Sequence, residues 1–262
     1  MEAAILTDLT RCTGCEACVL ACKEVNDLPR ETGTDKLSAE TWCAIERQRG
    51  VPVRRACMHC LDPACVTVCP VGALQKTEKG PVIYDASRCI GCRYCMIGCP
   101  FDVPTYEWDN PFPRVQKCIM CYEKRLSQGL EPACTAACPS GALQFGDRDT
   151  LVDEAWHRIR AHPERYVEHI YGLEEAGGTS VLYLSGVPFE SLGFKTAQLS
   201  PYPRLTWDIL SKLPSVVTVG GVMLCGIWWI SNRKDLLERV KSGEITEEEA
   251  MKQKPPLTGR DE

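Results

Sequence analysis

The longest apolar stretch of the chain lies near its C terminus, where residues 213–232 carry no charged side chain. At about 1.5 Å of rise per residue, a helix of this length crosses a bilayer core of about 30 Å. Trp207 precedes the stretch, and Trp228 and Trp229 lie near its end, where aromatic side chains favour the membrane interface. The pattern predicts one transmembrane helix over residues 213–232 and a polar tail over residues 233–262. The alternative is a helix buried in a protein core.

The basic residues beside this stretch predict its orientation. Residues 198–212, before it, contain two Lys or Arg, whereas residues 233–247, after it, contain four. Because Lys and Arg favour the cytoplasmic side, we expect the tail in the cytoplasm and the preceding domain in the periplasm. Residues 1–10 hold too short an apolar stretch for a signal peptide. The domain would therefore cross the membrane folded, together with a partner that carries a signal.

Shorter patterned segments predict a mixed α+β domain before the transmembrane helix. We expect a helix over residues 149–162, because Leu151, Ala155 and Ile159 recur on one face. Residues 179–184 are expected to form a strand. Segments rich in Pro, Gly, Ser or charge are expected to be connecting loops or extended chain: residues 23–56, 100–117 and 185–204.

The composition is that of a folded protein with one unusual residue type. The chain has 262 residues, of which 44% are hydrophobic and 25% charged, so bulk disorder is excluded. The length suits one large domain or two smaller ones. A net charge of −5 gives no reason to expect nucleic-acid binding. The chain has 18 cysteines, which indicates disulfides, bound metal or both.

The spacing of the cysteines favours metal. Sixteen of them fall into four runs, each opening with C-x2-C and closing with C-x3-C: Cys12, Cys15, Cys18, Cys22; Cys57, Cys60, Cys65, Cys69; Cys89, Cys92, Cys95, Cys99; and Cys118, Cys121, Cys134, Cys138. Sulfurs so close in sequence converge on one point, which suits a metal centre and strains a disulfide. Residues 89–100 match C-x2-C-x2-C-x3-C-P, the ferredoxin signature of a 4Fe–4S cluster. A zinc site, the alternative, would use two C-x2-C pairs. Four complete ligand sets predict four 4Fe–4S clusters.

An internal repeat predicts how the runs fold. Residues 65–75 and 134–144 both end in C-P-x-G-A-L-Q, which indicates a short helix stopped by proline, a turn at glycine and a strand. Residues 79–85 predict a turn and a short strand. We therefore expect two nested ferredoxin-like units, with runs two and three in a unit inserted between runs one and four. The outer unit is expected over residues 1–50 and 114–146, and the inserted unit over residues 51–113. A segment with a helix, a strand and an extended tail follows over residues 147–212. The transmembrane helix (213–232) and the polar tail (233–262) complete the chain.

The nesting predicts which cysteines share a cluster. In two-cluster ferredoxins, the fourth cysteine of each run binds the other cluster of the pair. The expected ligand sets are therefore crossed: Cys12, Cys15, Cys18 with Cys138; Cys118, Cys121, Cys134 with Cys22; Cys57, Cys60, Cys65 with Cys99; and Cys89, Cys92, Cys95 with Cys69. Cys43 and Cys225 complete no motif. We expect Cys43 to be an ordinary thiol and Cys225 to act as a small apolar residue of the span.

No general base, nucleophile or phosphate-binding loop stands out, so we predict no catalytic residue. His59, inside C-M-H-C, is expected to be a surface ring beside a cluster. No G-x-G-x-x-G follows a strand, so nicotinamide binding is not supported. Lys117, Arg88 and Arg93 lie near ligands and are candidates for raising a cluster potential; the alternative is an ordinary solvated charge. The motifs therefore favour electron transfer.

The four runs resemble those of the four-cluster electron-transfer subunits of dimethyl sulfoxide reductase-type enzymes, over about residues 4–190. The second run is C-x2-C-x4-C-x3-C and the fourth is C-x2-C-x12-C-x3-C. Residues 22–29 (CKEVNDLP), 37–42 (LSAETW) and 131–149 are most similar to the β subunit of respiratory formate dehydrogenases. Residues 177–185 (GGTSVLYLS) are also similar to the iron–sulfur subunit of membrane-bound nickel–iron hydrogenases.

The resemblance implies two partners. One is a large catalytic subunit, with a molybdenum or tungsten pterin in the formate case or a nickel–iron centre in the hydrogenase case. The other is an integral membrane subunit that exchanges electrons with quinone, often through haem b, and packs against the C-terminal helix. Electrons would pass through the four clusters in series between them. A stand-alone membrane-tethered polyferredoxin that serves several soluble donors is the alternative.

Overall fold

The structure is a computed structural model that describes residues 2–196 and 200–252. The chain divides into two compact units, Met1–Leu205 and Thr206–Glu262. The first unit contains all sixteen motif cysteines, and the second contains the apolar stretch.

A three-stranded sheet organises the first unit. Its central strand, β1 (Ala3–Asp8), is buried along its whole length and pairs antiparallel with β8 (Leu143–Asp147) and parallel with β9 (Val181–Leu184). Helix α5 (Arg148–Ala161) follows β8, and its buried face carries the three apolar residues that the periodicity identifies. The predicted helix and the predicted strand at β9 are both confirmed. The pairing of β1 with β8 joins the chain just before the first run to the chain just after the fourth.

The other named strands of the described residues form three two-stranded pairs: β2 (Cys43–Gln48) with β3 (Val51–Ala56), β4 (Leu74–Lys76) with β5 (Val82–Tyr84), and β6 (Thr105–Tyr106) with β7 (Val115–Gln116). The expectation of loops over 23–56 and 100–117 is therefore wrong where these strands form. The hairpin β2–β3 reverses at Arg49 and Gly50, which have φ angles of 50° and 83°, as a tight hairpin turn requires. The alternation of apolar and polar residues in this hairpin is hard to see in the sequence, because one buried residue, Arg54, is charged.

Four short helices carry cysteines of the runs: α1 (Ala17–Val25), α2 (Ala64–Thr67), α3 (Tyr94–Ile97) and α4 (Ala133–Ala136). Helix α1 packs against α4, and α2 packs against α3. In both copies of the repeat a glycine follows the proline, and Gly72 and Gly141 have φ angles of 62° and 60°. Only glycine adopts this left-handed conformation without strain, so the chain turns there into β4 or β8. The predicted helix–turn–strand repeat is confirmed.

The second unit contains the long helix α7 (Leu213–Lys241), with α8 (Glu247–Lys252) after it; helix α6 (Tyr202–Leu210) includes the boundary between the two units. Helix α7 has a mean hydropathy of 1.8 in its most apolar window and no buried residue, and it is the one candidate membrane span within residues 2–196 and 200–252. The helix extends past the predicted end at residue 232 into the polar tail. The expected extended segment 185–204 instead contains a 3-10 turn at Phe189–Leu192 and the start of α6; residues 197–199 of it and 253–262 of the tail lie outside the described residues.

Candidate metal centres

The same backbone turn opens all four cysteine runs. The residue just before the second cysteine has a positive φ in each case: Gly14 (70°), His59 (49°), Gly91 (69°) and Met120 (57°). A left-handed residue at this point directs successive backbone N–H groups into one concavity, the type of anion nest found at iron–sulfur sites. Since His59 and Met120 adopt this conformation despite their side chains, the turn is required by the site and not by the residue type.

Three cavities are each lined by one complete crossed set of cysteines. They enclose between 320 and 360 Å³, including space open to solvent. The three sets, with names used below, are site A (Cys12, Cys15, Cys18, Cys138), site C (Cys57, Cys60, Cys65, Cys99) and site D (Cys69, Cys89, Cys92, Cys95). Cys69 and Cys99 thus each line the cavity of the other run's first three cysteines, and Cys138 lines that of run one.

The remaining four motif cysteines, site B (Cys22, Cys118, Cys121, Cys134), also lie together. Burial raises the pKa of the Cys22 thiol, and the charges of Cys43, Cys118, Cys134 and Cys121 raise it further. All four cysteines of the set are buried. Helix α1, which carries Cys22, packs against α4, which carries Cys134, so the last cysteine of run one lies near run four.

Cys95 of site D is in an environment similar to that of Cys22. Burial raises the pKa of Cys95 to about 11, and the charges of Cys89, Cys92 and Cys69 add to that effect. Four thiolates gathered in this way repel one another in an apolar environment. A cationic core that bonds to the sulfurs removes this penalty, which is what an iron–sulfur cluster supplies when bound.

The spacing within the sets is unsuited to a single ion. Among residues 2–196 and 200–252, no three Cys, His, Asp or Glu side chains converge closely enough to bind one metal ion. The sulfurs around one zinc lie about 2.3 Å from the ion, so they crowd together. Four cysteines that line a cavity but do not crowd around one point fit a four-metal core better than a structural zinc.

Hydrogen-bond donors point at the sulfurs. The backbone N–H of Ala73 donates to Sγ of Cys69 (3.2 Å), and that of Met120 donates to Sγ of Cys118 (3.3 Å). The side-chain amide of Asn26 donates to Sγ of Cys22 (3.6 Å). N–H···S bonds stabilise electron-rich sulfur and tune cluster potentials.

His59 is 1% exposed, so the expectation of a surface ring is wrong. Its Nδ1 accepts the backbone N–H of Val82 (2.9 Å). The proton of the neutral ring then resides on Nε2, which has no hydrogen-bond partner within the described residues. Burial, and then the charge of Lys117, lowers the pKa of His59, so the ring is neutral. A buried donor of this kind beside Cys57 and Cys60 fits an electron-rich group that occupies site C.

The three basic residues singled out from the sequence differ in placement. Lys117 is buried at the wall of site C, and its Nζ donates to the carbonyl oxygens of Val82 (2.6 Å) and Cys118 (3.0 Å). Arg88 is exposed and pairs with Asp85 (3.2 Å). Arg93 stacks over the rings of Tyr106 and Trp108, with centroid distances of 5.5 and 5.3 Å.

Two buried residues near the sites were not placed there by the sequence analysis. Cys43 begins β2, is buried, and belongs to the apolar cluster that also contains Cys18 of site A and Cys134 of site B. Arg54, on β3, lines site A and donates to Cys134 of site B (3.5 Å). Neither lies in a motif, so only the pairing of β2 with β3 brings them there. Cys225 is exposed on α7 and belongs to no site.

Neighbouring sites share packing residues. Cys18 of site A and Cys134 of site B belong to one apolar cluster. Cys57 of site C packs with Cys118 of site B around Val103. Cys65 of site C and Cys95 of site D belong to a third cluster.

Comparisons with known proteins agree with this chemistry. A family described as a 4Fe–4S dicluster domain matches residues 48–148, which contain runs two to four. A protein of Nitratidesulfovibrio vulgaris (strain Hildenborough) is 42% identical, over 93% of this chain and 70% of its own length. Hydrogenase-2 operon protein HybA of Escherichia coli O157:H7 is 39% identical, over 72% of this chain and 71% of its own length. The iron–sulfur subunit of the nitrate-inducible formate dehydrogenase of Escherichia coli K12 is 38% identical, over 70% of this chain and 68% of its own length.

Proposed function

The chain belongs to the family of formate dehydrogenase iron–sulfur subunits, which also includes hydrogenase-2 operon protein HybA, and we propose that it carries electrons between a catalytic and a membrane subunit. Electron transfer by 4Fe–4S clusters is the function of this family. The observation that carries the fuller proposal is the lining of three cavities by complete crossed sets of thiols. A bound 4Fe–4S cluster supplies a site that accepts and releases one electron.

We propose four clusters, one at each of sites A to D. Anaerobically purified protein should be brown and contain about sixteen irons and sixteen sulfides per chain, since each 4Fe–4S cluster has four Cys ligands. Iron, sulfide and zinc analysis of the same sample tests this. Zinc in place of iron would overturn the cluster assignment, and about eight irons would restrict it to two sites.

We propose that the sites belong to two nested ferredoxin-like units. The pairing of β1 with β8 and the packing of α1 against α4 support an outer unit with sites A and B. The packing of α2 against α3 supports an inserted unit with sites C and D. The hairpin β2–β3 lies across the expected boundary at residue 50.

We propose that electrons pass along the sites in the order A, B, C, D. Shared packing supports each step: Cys18 with Cys134, Cys118 with Cys57, and Cys65 with Cys95. The two ends of this order are the more accessible sites. Cys15 of site A is exposed and three cysteines of site D are half-buried, whereas site B is wholly buried. Electrons therefore enter and leave at A and D.

We propose that site D faces the membrane partner and site A the catalytic partner. Within the first unit, Tyr202 lines a groove with Ile97 and Cys99. Arg204 pairs with Asp62 (3.5 Å) in the second run. The chain therefore leaves this unit beside sites C and D on its way to the candidate membrane span. These contacts within the first unit support the assignment of sites C and D, and not site A, to the side of the membrane partner.

Ligand removal at each end tests the order in the intact complex. Cys15→Ala should prevent the substrate from reducing sites B to D, while quinol still reduces them from the membrane side. Cys92→Ala should leave sites A to C reducible by substrate and abolish quinone reduction. Cys225→Ala, outside every site, is the matched control and should change neither. Equal blockage from both sides by either variant would overturn the linear order.

We propose that α7 anchors the chain, with the cluster domain periplasmic and the tail cytoplasmic. The uncharged helix and the basic residues after it support this topology. Protease added to intact spheroplasts should cut the cluster domain and spare the tail. Cleavage of the tail with protection of the cluster domain would invert the orientation.

We propose formate as the substrate of the catalytic partner. Formate dehydrogenase iron–sulfur subunits match at 38%, 35% and 31% identity. HybA, at 39%, favours hydrogen as the second candidate. The complex purified in mild detergent should reduce a dye with formate; activity with hydrogen alone would select the second candidate. A chain that is stable and active with no partner subunit would instead be the stand-alone polyferredoxin.

A further inference from the structure

Arg54 is a buried cation of the first unit that bonds to no carboxylate among the described residues. Arg54 is 2% exposed, and its Nε and Nη1 have no hydrogen-bond partner within residues 2–196 and 200–252. A guanidinium stays protonated in proteins. An uncompensated buried ion is destabilising by several kcal/mol. The surroundings of Arg54 must therefore supply negative charge.

The position of Arg54 identifies the source of that charge. Its Nη2 donates to Sγ of Cys134 in site B (3.5 Å), and the side chain also lines the cavity of site A. The hydroxyl of Tyr183 donates to the backbone carbonyl oxygen of Arg54 (3.1 Å), and this bond holds this part of β3 in place. The guanidinium of Arg54 thus lies between two sets of four thiolates. Its Nε and Nη1 groups remain available to donate hydrogen bonds to either set.

We propose that Arg54 is a shared counter-charge for sites A and B and raises the reduction potential of both. The inference rests on the ligand sets proposed above. Reduction adds one electron, and hence one negative charge, to a site. A fixed cation nearby stabilises the reduced state more than the oxidised state, and burial strengthens the effect because solvent does not screen it. N–H···S bonds act in the same direction.

Replacement of the charge tests the proposal. In the intact complex carrying Arg54→Met, two of the four one-electron steps in an EPR-monitored titration should move to lower potential. At fixed potential we expect at least about a tenfold increase in the oxidised-to-reduced ratio at those sites, equivalent to 59 mV for one electron. Arg54→Lys, which keeps a cation but loses the planar fork, should shift the same two steps by less.

The neighbouring arginine provides the matched control. Arg55 follows on β3, where successive side chains point to opposite faces. It pairs with Glu46 (3.0 Å) and donates to the carbonyl oxygen of Leu192 (2.7 Å). Arg55→Met removes the same charge from the same strand and should move no step. Equal shifts in both variants, or no shift in Arg54→Met at full iron content, would overturn the proposal.

A measurement on the unmodified sequence covers the case in which Arg54→Met loses iron. Protein labelled with nitrogen-15 in the arginine guanidinium should show a nitrogen coupling in the pulsed EPR spectrum of the reduced state. Arg54→Lys should remove that coupling and Arg55→Met should retain it. Absence of the coupling in the unmodified protein would overturn the role of Arg54. If the redox titration of the unmodified complex does not show four one-electron steps, the proposed function is refuted instead.

Discussion

The two copies of the C-x3-C-P-x-G-A-L-Q segment fold alike but lie in different surroundings. Each forms a short helix, a glycine turn and a strand. The first copy continues into β4, in a two-stranded hairpin, and its Cys65 is half-buried. The second continues into β8, beside the central strand of the main sheet, and its Cys134 is buried. The local sequence therefore determines the ligand turn, while the rest of the fold determines its exposure.

The buried cation near each copy differs in the same way. Beside the first, Lys117 directs its ammonium at two carbonyl oxygens, of Val82 and Cys118. Beside the second, Arg54 donates to the sulfur of Cys134 itself. A cation bonded to carbonyl dipoles has part of its field compensated, whereas one bonded to sulfur acts directly on the ligand. Two copies of one motif thus provide two electrostatic environments.

Loss of the last cysteine of a run, which is proposed to bind the cluster of another run, should have the largest effect. The loss of iron should be similar for the inserted unit and the outer unit. Cys99→Ala should damage the cluster held with Cys57, Cys60 and Cys65, and Cys138→Ala the one held by run one, because the last cysteine of each run binds its neighbour's cluster. The iron content should decrease by between one and about four atoms per chain, and electron transfer should be lost. Iron analysis and EPR of the complex check this.

The outcome that contradicts the crossing is specific. Damage from Cys99→Ala confined to the cluster of Cys89, Cys92 and Cys95 would mean that each run binds its own cluster. Cys43→Ala is the matched control, because Cys43 is a buried cysteine outside the motifs and should be dispensable for iron content.

Local motifs account for what the sequence could predict. The runs, the C-P-x-G-A-L-Q repeat and the apolar face of α5 depend on residues close in sequence, and turns, helices and strands appear where those patterns predict them. The three cavities also bring together the crossed sets that the ferredoxin rule predicts for sites A, C and D.

Long-range contacts account for what it could not. The hairpin β2–β3 was hidden by Arg54, whose charge is typical of an exposed position but which is buried and donates to the sulfur of Cys134, 80 residues away. His59 is buried because its ring accepts the backbone N–H of Val82, 23 residues away. The extension of α7 beyond residue 232 follows from the helix-forming residues of the tail, although their charge ends the apolar pattern.

Removal of α7 should have the next largest effect and leave both copies unchanged. A chain ended after Ser211 should release the cluster domain from the membrane, because the candidate span is lost. The clusters should stay intact, because no motif cysteine lies beyond Cys138. Its complex should oxidise substrate with a soluble dye at an unchanged rate and fail to reduce quinone. Membrane fractionation and the two assays check this. A truncated chain that remains membrane-bound and reduces quinone would show that α7 is not the anchor.

A single charge in the span provides a milder form of the same experiment. Val222→Lys places a cation near mid-bilayer, at a cost of about 2.5–3.5 kcal/mol on insertion scales. The membrane-bound fraction should fall, with iron content unchanged. Val222→Ala is the control for the loss of side-chain volume and should remain bound.

The smallest effect is expected from Lys117, and it sharpens the contrast between the two copies. Lys117→Met should lower the potential of site C, because a buried cation at its wall is lost, but by less than Arg54→Met lowers sites A and B. The two carbonyl oxygens that bind Nζ compensate part of its charge, and they are left unpaired in the variant. Arg88→Met is the exposed control: its side chain pairs with Asp85 in solvent, where screening reduces ion-pair effects, so no step should move. A shift from Lys117→Met equal to or larger than that from Arg54→Met would mean that proximity alone, and not bonding to sulfur, determines how a buried cation acts on these sites.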